Sequence, residues 1–526
     1  MALESAAMET VFPDTRKCRR LIHRRLPWVL CWTLWLGGPL FAARGDEETA
    51  EAKLAQRLDQ ILLNRKQAKA RFGGRVVELP TGRVLYDHQG HEPLIPASNM
   101  KLVVMAAAID SLGPEYEFRT YFAIRGKDLL VLGSGDPTLG DERLASARRQ
   151  PILHVFHKVA EQLAGSGVKR IPGHIIVDDY IFDHQFVHPE WPPEQHQAWY
   201  EAPIGGLNLN ANCVVVRVRP TSLGQPAEAV LSPGNTYLKL ENRTITAEKQ
   251  HAVTVTRAPN SETIVVRGRV SRAEEVGPLT VRDPGLYFGA VLKTVLASKG
   301  ISVLGEVVRE RVRTEAGELP EGCHLVWIHR APLADALARA GKDSLGMMAE
   351  GLIKLLGAGP GRAGSWETGR KAVLAFCDRA GVAEGQIVVD DGSGLSRQNR
   401  LSPAATTQIL RFMFCGPANR FDLLRDSLAV SGVDGTMSKR LTSSEVKGRV
   451  FAKTGYINKV RTLAGYVQTR SGQWLAFAFY YNDSTNTAEI RGFQDEACRL
   501  LASWPNLPPP AASSSTQPTS ATTRPK

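Results

Sequence analysis

The sequence predicts an α+β fold with a buried helix, strands near the carboxyl-terminal end and an intervening region rich in strands. Three observations predict it. The uninterrupted apolar run from Leu102 to Ile109 is typical of a buried helix. Residues 453–481 alternate between β-type runs and turns, as a strand, a hairpin and a further strand would. Between these two regions, β-type runs punctuated by Gly and Pro, such as Val253–Val255 and Ile264–Val266, predict a region that is mostly sheet.

The amino terminus has the composition of an export segment. A basic cluster from Arg16 to Arg25 is followed by an apolar stretch from Leu26 to Ala43 and then by acidic residues. This order predicts that residues 1–45 are a secretory signal peptide, cleaved after Gly45, with cleavage after Ala43 as the alternative. An uncleaved membrane anchor is the alternative, because roughly 16 to 18 mildly apolar residues fall just short of a comfortable span. Either outcome predicts an exported protein, located in the periplasm or elsewhere in the cell envelope.

A predicted β-hairpin is the next element. The runs Val76-Val77-Glu78 and Val84-Leu85-Tyr86 are β-type and flank Pro80-Thr81-Gly82. Pro and Gly at these positions favour a turn. This hairpin is expected to form the amino-terminal part of the sheet.

A Ser-x-x-Lys step, Ser98-Asn99-Met100-Lys101, begins the apolar helix. A lysine three residues after a serine lies one helical turn on, on the same face, close enough to take the hydroxyl proton. Two other serines begin such steps, but Ser166 lies in a Gly-rich turn and Ser444 in a polar loop. Ser98 is therefore the candidate nucleophile and Lys101 its base. The alternative for Ser98 is a helix N-cap with no catalytic part.

The tripeptide Lys453-Thr454-Gly455 heads the predicted strand, hairpin and strand at the carboxyl-terminal end. On a strand that lines a cleft, Lys453 and Thr454 supply a cation and a hydroxyl for a substrate carboxylate. Gly455 would let the backbone approach an extended peptide closely. The alternative is an ordinary sheet that carries a surface lysine.

These motifs resemble the signature of penicillin-binding proteins and serine β-lactamases, which is Ser-x-x-Lys, Ser-x-Asn and Lys-Thr-Gly in that order. More narrowly, the chain is similar to the D-alanyl-D-alanine carboxypeptidase/endopeptidase family of low-molecular-mass (class C) penicillin-binding proteins. Three further segments match that family: Leu132–Leu139, Asp391–Ser396 and Ser431–Met437. The matches run from about residue 74 to about residue 501. The resemblance implies a transpeptidase-type catalytic domain, in which an antiparallel sheet is flanked by helices, with inserted β-rich accessory domains.

The middle motif departs from the family pattern. The matching stretch runs from Lys342 to Glu350 and keeps the serine as Ser344, but Gly346 stands where the family has Asn. The resemblance implies that this Asn donates to the substrate amide and holds the lysine, so Gly346 removes a polar anchor from the substrate-binding site. A water molecule could replace it in part. The Ser484-Thr485-Asn486 sequence lies after the Lys-Thr-Gly strand and is interpreted as a surface turn.

The resemblance also implies a role for each site residue in acyl transfer through a serine ester. Ser98 would attack a D-Ala-D-Ala carbonyl, Lys101 would take its proton, and Ser344 would relay a proton to the leaving amine. Lys453 and Thr454 would hold the terminal carboxylate. The remaining expected members are oxyanion donors from the amides of Ser98 and of a residue just after Gly455, assigned to Ile457, and a cleft rim formed by Asp391, Gly392, Ser393 and Gly394. By local chemistry alone, the rim segment is equally compatible with a tight loop.

The domain organisation follows from the spacing of the motifs. Ser98 and Ser344 are 246 residues apart, which is far more than a minimal catalytic domain of the resembled kind contains. An insertion is therefore required, and the resemblance implies two nested accessory domains. The expected arrangement is a catalytic domain of residues 46–112 and 322–507, a first inserted domain of residues 113–211 and 277–321, a second of residues 212–276, and a disordered tail of residues 508–526.

Composition limits the other functions. The 526 residues are 43% hydrophobic and 22% charged, which suits a globular enzyme of more than one domain. The Cys and His residues show no metal-ligand spacing, so no metal or cofactor is expected. The net charge is +12, of which residues 1–45 supply +4. The remaining charge near +8 suits an anionic wall or membrane surface, but without a basic stripe and aromatic platform it does not favour nucleic acid.

Three functions are compatible with these patterns. The leading one is an exported serine DD-peptidase with peptidoglycan stem peptides and β-lactams as its partners. The second is a catalytically weakened relative that binds wall peptides or acts as a scaffold. The third is a β-lactamase or esterase on the same fold, which would need a deacylating base that no motif supplies. The patterns leave open the oligomeric state and the preference between carboxypeptidase and endopeptidase.

Overall fold

A computed structural model describes residues 49–63 and 69–507. The predicted signal peptide of residues 1–45 and the predicted tail of residues 508–526 lie outside the described residues. The helices are α1 (Ala50–Leu62), α2 (Met100–Leu112), α3 (Glu142–Ala147), α4 (His154–Gly165), α5 (Pro284–Ser298), α6 (Leu333–Lys342), α7 (Gly346–Gly357), α8 (Trp366–Arg379), α9 (Pro403–Cys415), α10 (Ala418–Asp426) and α11 (Thr487–Ala502).

The strands are mostly short. They are β1 (Arg71–Glu78), β2 (Val84–His88), β3 (Glu117–Arg125), β4 (Asp128–Leu132), β5 (Arg170–Ile171), β6 (Ile175–Asp178), β7 (Cys213–Arg219), β8 (Glu228–Ser232), β9 (Lys239–Thr246), β10 (Ala252–Arg257), β11 (Thr263–Val270), β12 (Glu274–Thr280), β13 (Ser302–Val303), β14 (Val307–Arg309), β15 (His324–Pro332), β16 (Ile387–Val388), β17 (Arg400–Leu401), β18 (Ala429–Val430), β19 (Val450–Ile457), β20 (Val460–Gln468) and β21 (Trp474–Asn482).

The principal sheet is antiparallel and has the strand order β18-β19-β20-β21-β1-β2. Strand β21 shows why it lies between two helical layers. Its alternate residues Phe477 and Phe479 pack in a cluster with α1 and α11, whereas Ala476 and Ala478 face a cluster that includes α2 and α9. This period of two buries both faces of the sheet. The predicted α+β class, with an antiparallel sheet flanked by helices, is confirmed.

Helix α2 is the centre of one helical layer. Its residues from Met100 to Ile109 are all buried, as the apolar run predicts. It packs against α6, α7, α8, α9 and α10. A helix that is apolar on every side can be accommodated only by such enclosure. The turn of residues 97–99, which leads into α2, contacts β19 of the principal sheet.

The described segment between the first two motifs forms four further sheets. The largest has the order β14-β6-β4-β3-β15, two three-stranded sheets have the orders β10-β11-β9 and β12-β7-β8, and β13 pairs with β5. Helices α4 and α5 pack with them in a separate hydrophobic cluster. Strand β15 falls inside the predicted catalytic range 322–507, yet it pairs with β3. The last strand of this sheet, β15, ends where α6 begins, about ten residues after the predicted boundary at residue 322. The domain boundaries stay a prediction.

Candidate active site

Ser98 lies in a single 3-10 turn, Ala97–Asn99, that leads directly into α2. Asn99 occupies the N-cap position of the helix, and no side chain caps it. The Ser98 hydroxyl instead lies 3.1 Å from the Lys101 Nζ. Ala97, just before it, has a φ of 46°, a left-handed conformation that costs an L-residue about 1 to 2 kcal/mol. Ser98 is thus held in a strained turn and is not used as a cap.

Strand β20 clamps this turn against the principal sheet. The Thr462 hydroxyl donates to the Pro96 carbonyl at 2.8 Å and accepts from Asn99 Nδ2 at 2.6 Å. Gly455 on β19 allows the close approach, because an ideal Cβ there would lie 2.0 Å from Thr462 Oγ1 and 3.2 Å from the Ser98 amide nitrogen. Glycine at this position therefore brings the strand edge to the backbone of the candidate nucleophile.

Lys101 is fully buried and has two polar neighbours. Its Nζ lies beside Ser98 and donates to the Ser393 carbonyl at 2.6 Å. Burial lowers the pKa of Lys101 to about 8, although the nearby carboxylates of Glu350 and Asp391 oppose that shift. A lysine with such a pKa is partly neutral near pH 7 and can accept a proton from a hydroxyl.

Ser344 lies between α6 and α7 and faces the third motif. Its hydroxyl accepts from Lys453 Nζ at 2.8 Å. Ser344 has a φ of 60°, so it too has a left-handed backbone. The structure therefore brings together Ser98 with Lys101, and Ser344 with Lys453, from three separate parts of the chain.

Gly346 begins α7, and its φ lies outside the left-handed region. An ideal Cβ at this position would lie 3.4 Å from the Tyr200 carbonyl oxygen and 3.5 Å from the Ser393 Cβ. Both are ordinary van der Waals distances. The backbone at Gly346 therefore has no need of glycine, and a larger side chain would point between Tyr200 and Ser393.

Lys453 is buried on β19. It donates to Ser344 and to the carbonyl of Thr454, each at 2.8 Å. Burial, and then the positive charge of Lys101, hold the pKa of Lys453 well below its ordinary value. The Thr454 hydroxyl donates to Thr436 Oγ1 at 3.0 Å. Ile457 is half-buried at the end of β19, two residues beyond Gly455.

The segment Asp391–Gly394 is a tight, buried loop beneath the Ser98 turn. The Asp391 carboxylate accepts from the Gly394 and Ser396 amides at 2.7 Å each and from Trp191 Nε1 at 2.9 Å. Gly394 has a φ of 80°, and an ideal Cβ there would lie 1.8 Å from the Ala97 carbonyl. The backbone contact that supports the Ser98 turn thus requires glycine at position 394. The segment was predicted at the cleft rim; its residues, including Gly392 and Ser393, are buried.

Several residues near the site were not assigned from the sequence. Trp191 is buried and holds Asp391, and the Tyr200 carbonyl borders Gly346; both come from the inserted segment. Thr436 contacts Thr454. Glu350 is fully buried and accepts from the amides of the Asp391 loop. The sequence signal that could have identified Glu350 is that it is the acidic residue of the otherwise mostly apolar helix α7.

The other sequence candidates lie apart from this cluster. Ser166 and Ser444 are exposed. Asn486 caps α11 by accepting from the Glu489 amide. Within residues 49–63 and 69–507, no group of His, Cys, Asp and Glu is arranged to hold a metal ion, and no helix there is long and apolar enough to cross a membrane.

Comparison with known proteins agrees with this fold. The chain belongs to the D-Ala-D-Ala carboxypeptidase 3 (S13) family, whose model matches residues 54–503. It is 31% identical over 502 residues to a D-alanyl-D-alanine carboxypeptidase of Actinomadura sp., with 90% of this chain and 89% of that protein covered. It is 24% identical to the D-alanyl-D-alanine carboxypeptidase DacB of Haemophilus influenzae, with 76% and 83% covered.

A solved structure has the same fold. The crystal structure of penicillin-binding protein 4 (dacB) from Haemophilus influenzae superposes with a TM-score of 0.68 at 22% identity, and the match covers 85% of this chain and 99% of that one. The predicted family and the penicillin-binding-protein type of fold are therefore confirmed.

Proposed function

We propose that this protein is an exported serine DD-peptidase that hydrolyses the D-Ala-D-Ala bond of peptidoglycan stem peptides through an ester on Ser98. The observation that carries the proposal is the contact of Ser98 Oγ with the buried amino group of Lys101, whose pKa burial lowers to about 8. Family membership and the names of the relatives support the same reaction. The same site would cleave D-Ala-containing crosslinks as an endopeptidase and would be acylated by β-lactams.

Acylation begins with transfer of the Ser98 hydroxyl proton to neutral Lys101. Ser98 Oγ then attacks the carbonyl carbon of the penultimate D-Ala, and the carbonyl oxygen becomes an oxyanion. The Ser98 amide and an amide of β19 would stabilise that charge. Ile457 was assigned the second amide from the family resemblance. Because Gly455 is the strand residue next to Ser98, the amide of Tyr456, which directly follows it, is a second candidate.

The ester forms as the C–N bond to the terminal D-Ala breaks. Ser344, whose hydroxyl accepts from Lys453 Nζ at 2.8 Å, would relay to the leaving amine the proton that Lys101 took from Ser98, which leaves Lys101 neutral again. Lys453 and Thr454 would hold the carboxylate of that D-Ala. A water molecule then attacks the ester carbonyl, which releases the shortened peptide and restores the Ser98 hydroxyl.

A catalytically weakened wall-binding or scaffold protein is the second candidate, and Gly346 is the observation that favours it. The third reading, a β-lactamase or esterase, has less support. Such an enzyme needs an additional base near the ester, and the buried carboxylate of Glu350 is occupied by loop amides and an indole.

The test is release of D-Ala from a defined pentapeptide by the purified protein, together with labelling by a fluorescent penicillin. Ser98→Ala should abolish both. Ser166→Ala and Ser444→Ala, which alter exposed serines of the other Ser-x-x-Lys steps, should change neither. Labelling that survives in folded Ser98→Ala would move the nucleophile elsewhere. Labelling without D-Ala release would favour the binding protein.

The net charge near +8 of residues 46–526 supports peripheral association with the anionic wall or membrane surface. Residues 1–45 would direct the chain out of the cytoplasm. Fractionation of cells that produce the full chain, followed by amino-terminal sequencing of the recovered protein, would test export and cleavage after Gly45 together.

A further inference from the structure

Glu350 is a buried carboxylate that the proposed reaction does not use. It lies on α7 and is fully inaccessible to solvent. Its Oε1 accepts from the Ser393 amide at 2.7 Å, and its Oε2 accepts from the Gly392 amide at 3.0 Å and from Trp366 Nε1 at 2.7 Å. Three donors converge on one carboxyl group, and this pattern favours the ionised form, which is acceptor-only.

The loop that Glu350 holds is the loop that holds Lys101. Its contacts with the Gly392 and Ser393 amides fix the two peptide groups on either side of Gly392. The carbonyl of Ser393 in turn accepts from Lys101 Nζ at 2.6 Å, and that nitrogen is 3.1 Å from Ser98 Oγ. One chain of short contacts therefore runs from Glu350 through the backbone of Ser393 to the base and the nucleophile.

We propose that Glu350 is a positioning residue for Lys101: its carboxylate fixes the Ser393 carbonyl that holds the lysine amino group beside Ser98. Its negative charge also increases the proton affinity of that amino group. The inference rests on the proposed acyl transfer by Ser98.

The neighbouring charges leave Glu350 free for this role. Lys354, one turn further along α7, has its own carboxylate partner, because its Nζ donates to Asp183 Oδ1 at 2.6 Å. Asp391 is occupied by donors from its own loop and from Trp191. Lys453 faces Lys101 from β19 as a second cation. Glu350 is thus not required to neutralise Lys354, and with Asp391 it supplies the negative charge near Lys101.

Burial and the proximity of Asp391 raise the pKa of Glu350 to about 7, and the three hydrogen bonds oppose this shift. The carboxylate therefore titrates in the range in which Lys101 works. Other groups that face this region are His188, whose ring packs edge-on against Trp366, and Arg370 with Asp390 beside it.

The test is Glu350→Gln in the purified protein, measured by the rate of acylation by a fluorescent penicillin across pH and by kcat and KM on a D-Ala-D-Ala peptide. Glutamine has the same shape as glutamate but no negative charge. Its NH2 group would also face at least one of the N–H donors that Glu350 accepts from. We expect the plateau rate and kcat to fall about tenfold or more, with KM nearly unchanged. Because Lys101 loses a neighbouring negative charge, the acid limb should move at least about half a pH unit lower.

Glu350→Asp separates length from charge. It keeps the negative charge but cannot reach both loop amides, so the plateau should fall while the acid limb stays near its wild-type position. Glu367→Gln is the matched control: it removes an exposed carboxylate that pairs with Lys371 on α8 and should change neither rate nor limb. Thermal unfolding checks that each variant is folded, and Glu350→Asp decides the question if Glu350→Gln does not fold.

A purely structural role predicts a lower melting temperature with normal plateau and acid limb in the folded fraction, and that result would overturn the proposal. A wild-type rate and limb in folded Glu350→Gln would overturn it as well. Absence of acylation in the wild type would instead refute the proposed function, so the two failures are distinguishable.

Discussion

The two buried lysines of the site, Lys101 and Lys453, are held in different ways. Lys101 has the carboxylates of Glu350 and Asp391 nearby, and its pKa falls only to about 8. Lys453 contacts a serine hydroxyl and a carbonyl, no carboxylate opposes its burial, and its pKa lies well below the ordinary value. Lys101 therefore has carboxylates of the protein as its counter-charge. Among the described residues Lys453 has none nearby, and a substrate carboxylate would supply one.

Of the substitutions at the two lysines and their neighbours, Lys101→Ala should have the largest effect on the acylation rate. Removal of the base should lower the acylation rate about 10³-fold, the middle of the range for general-base catalysis. The measurement is single-turnover labelling by a fluorescent penicillin. Lys447→Ala, which changes an exposed lysine of another Ser-x-x-Lys step, is the matched control and should behave as wild type. A folded Lys101→Ala protein with more than a tenth of the wild-type rate would mean that another group is the base.

The pH profile of acylation should show the tuning of Lys101 directly. Its pKa is lowered from 10.5 to about 8, so the neutral, proton-accepting form is lost as pH falls below about 8. The rate should therefore fall about tenfold per pH unit there. Below about pH 7 the slope should become shallower, because protonation of Glu350 removes a charge that favours protonated Lys101. A flat profile between pH 6 and 9 in a protein that remains folded by circular dichroism would contradict this assignment.

Lys453→Ala should lower kcat/KM by an amount that depends on whether the substrate ends in a carboxylate. With a peptide that ends in a free carboxylate, kcat/KM should fall roughly 10- to 100-fold, the size of a hydrogen bond to a charged group. With the matching carboxamide peptide, wild type should already be slow and the variant should lose little more. Equal losses on both peptides would show that Lys453 acts through Ser344 and not through the carboxylate.

The smallest effect is expected at Gly346, beside the Lys453 half of the site. Gly346→Asn would restore a donor for the substrate amide, and because the position has ordinary φ and open space for a Cβ, the backbone should tolerate it. We expect acylation to rise about tenfold, equivalent to about 1.4 kcal/mol. Gly346→Ala fills the same space without an amide and should give no rise. An unchanged rate in folded Gly346→Asn would mean that another group already meets the substrate amide.

Much of the fold was predictable because its signals are local. The period of two in β21 and the continuous apolar run in α2 depend only on residues near each other in sequence. The motif order predicted that the Ser98 turn and the Lys453 strand belong to one site. The catalytic roles of the individual residues stay predictions. The partners that stabilise them were not predictable: Trp191 on Asp391 and Glu350 on Ser393 are long-range contacts made from unrelated elements. Nor could a sequence pattern show that Ala97 and Ser344 would have left-handed backbones.

The pairing of β1 with β21 has a consequence for how the chain folds. Gly74 lies opposite Phe479, so the central strands of the principal sheet are joined only after roughly 400 intervening residues have been made. Until then the β1 edge of the β1–β2 hairpin lacks its partner strand β21 and can associate with other chains. Chains truncated before β19 would therefore retain this open edge, and they should aggregate instead of accumulating in soluble form.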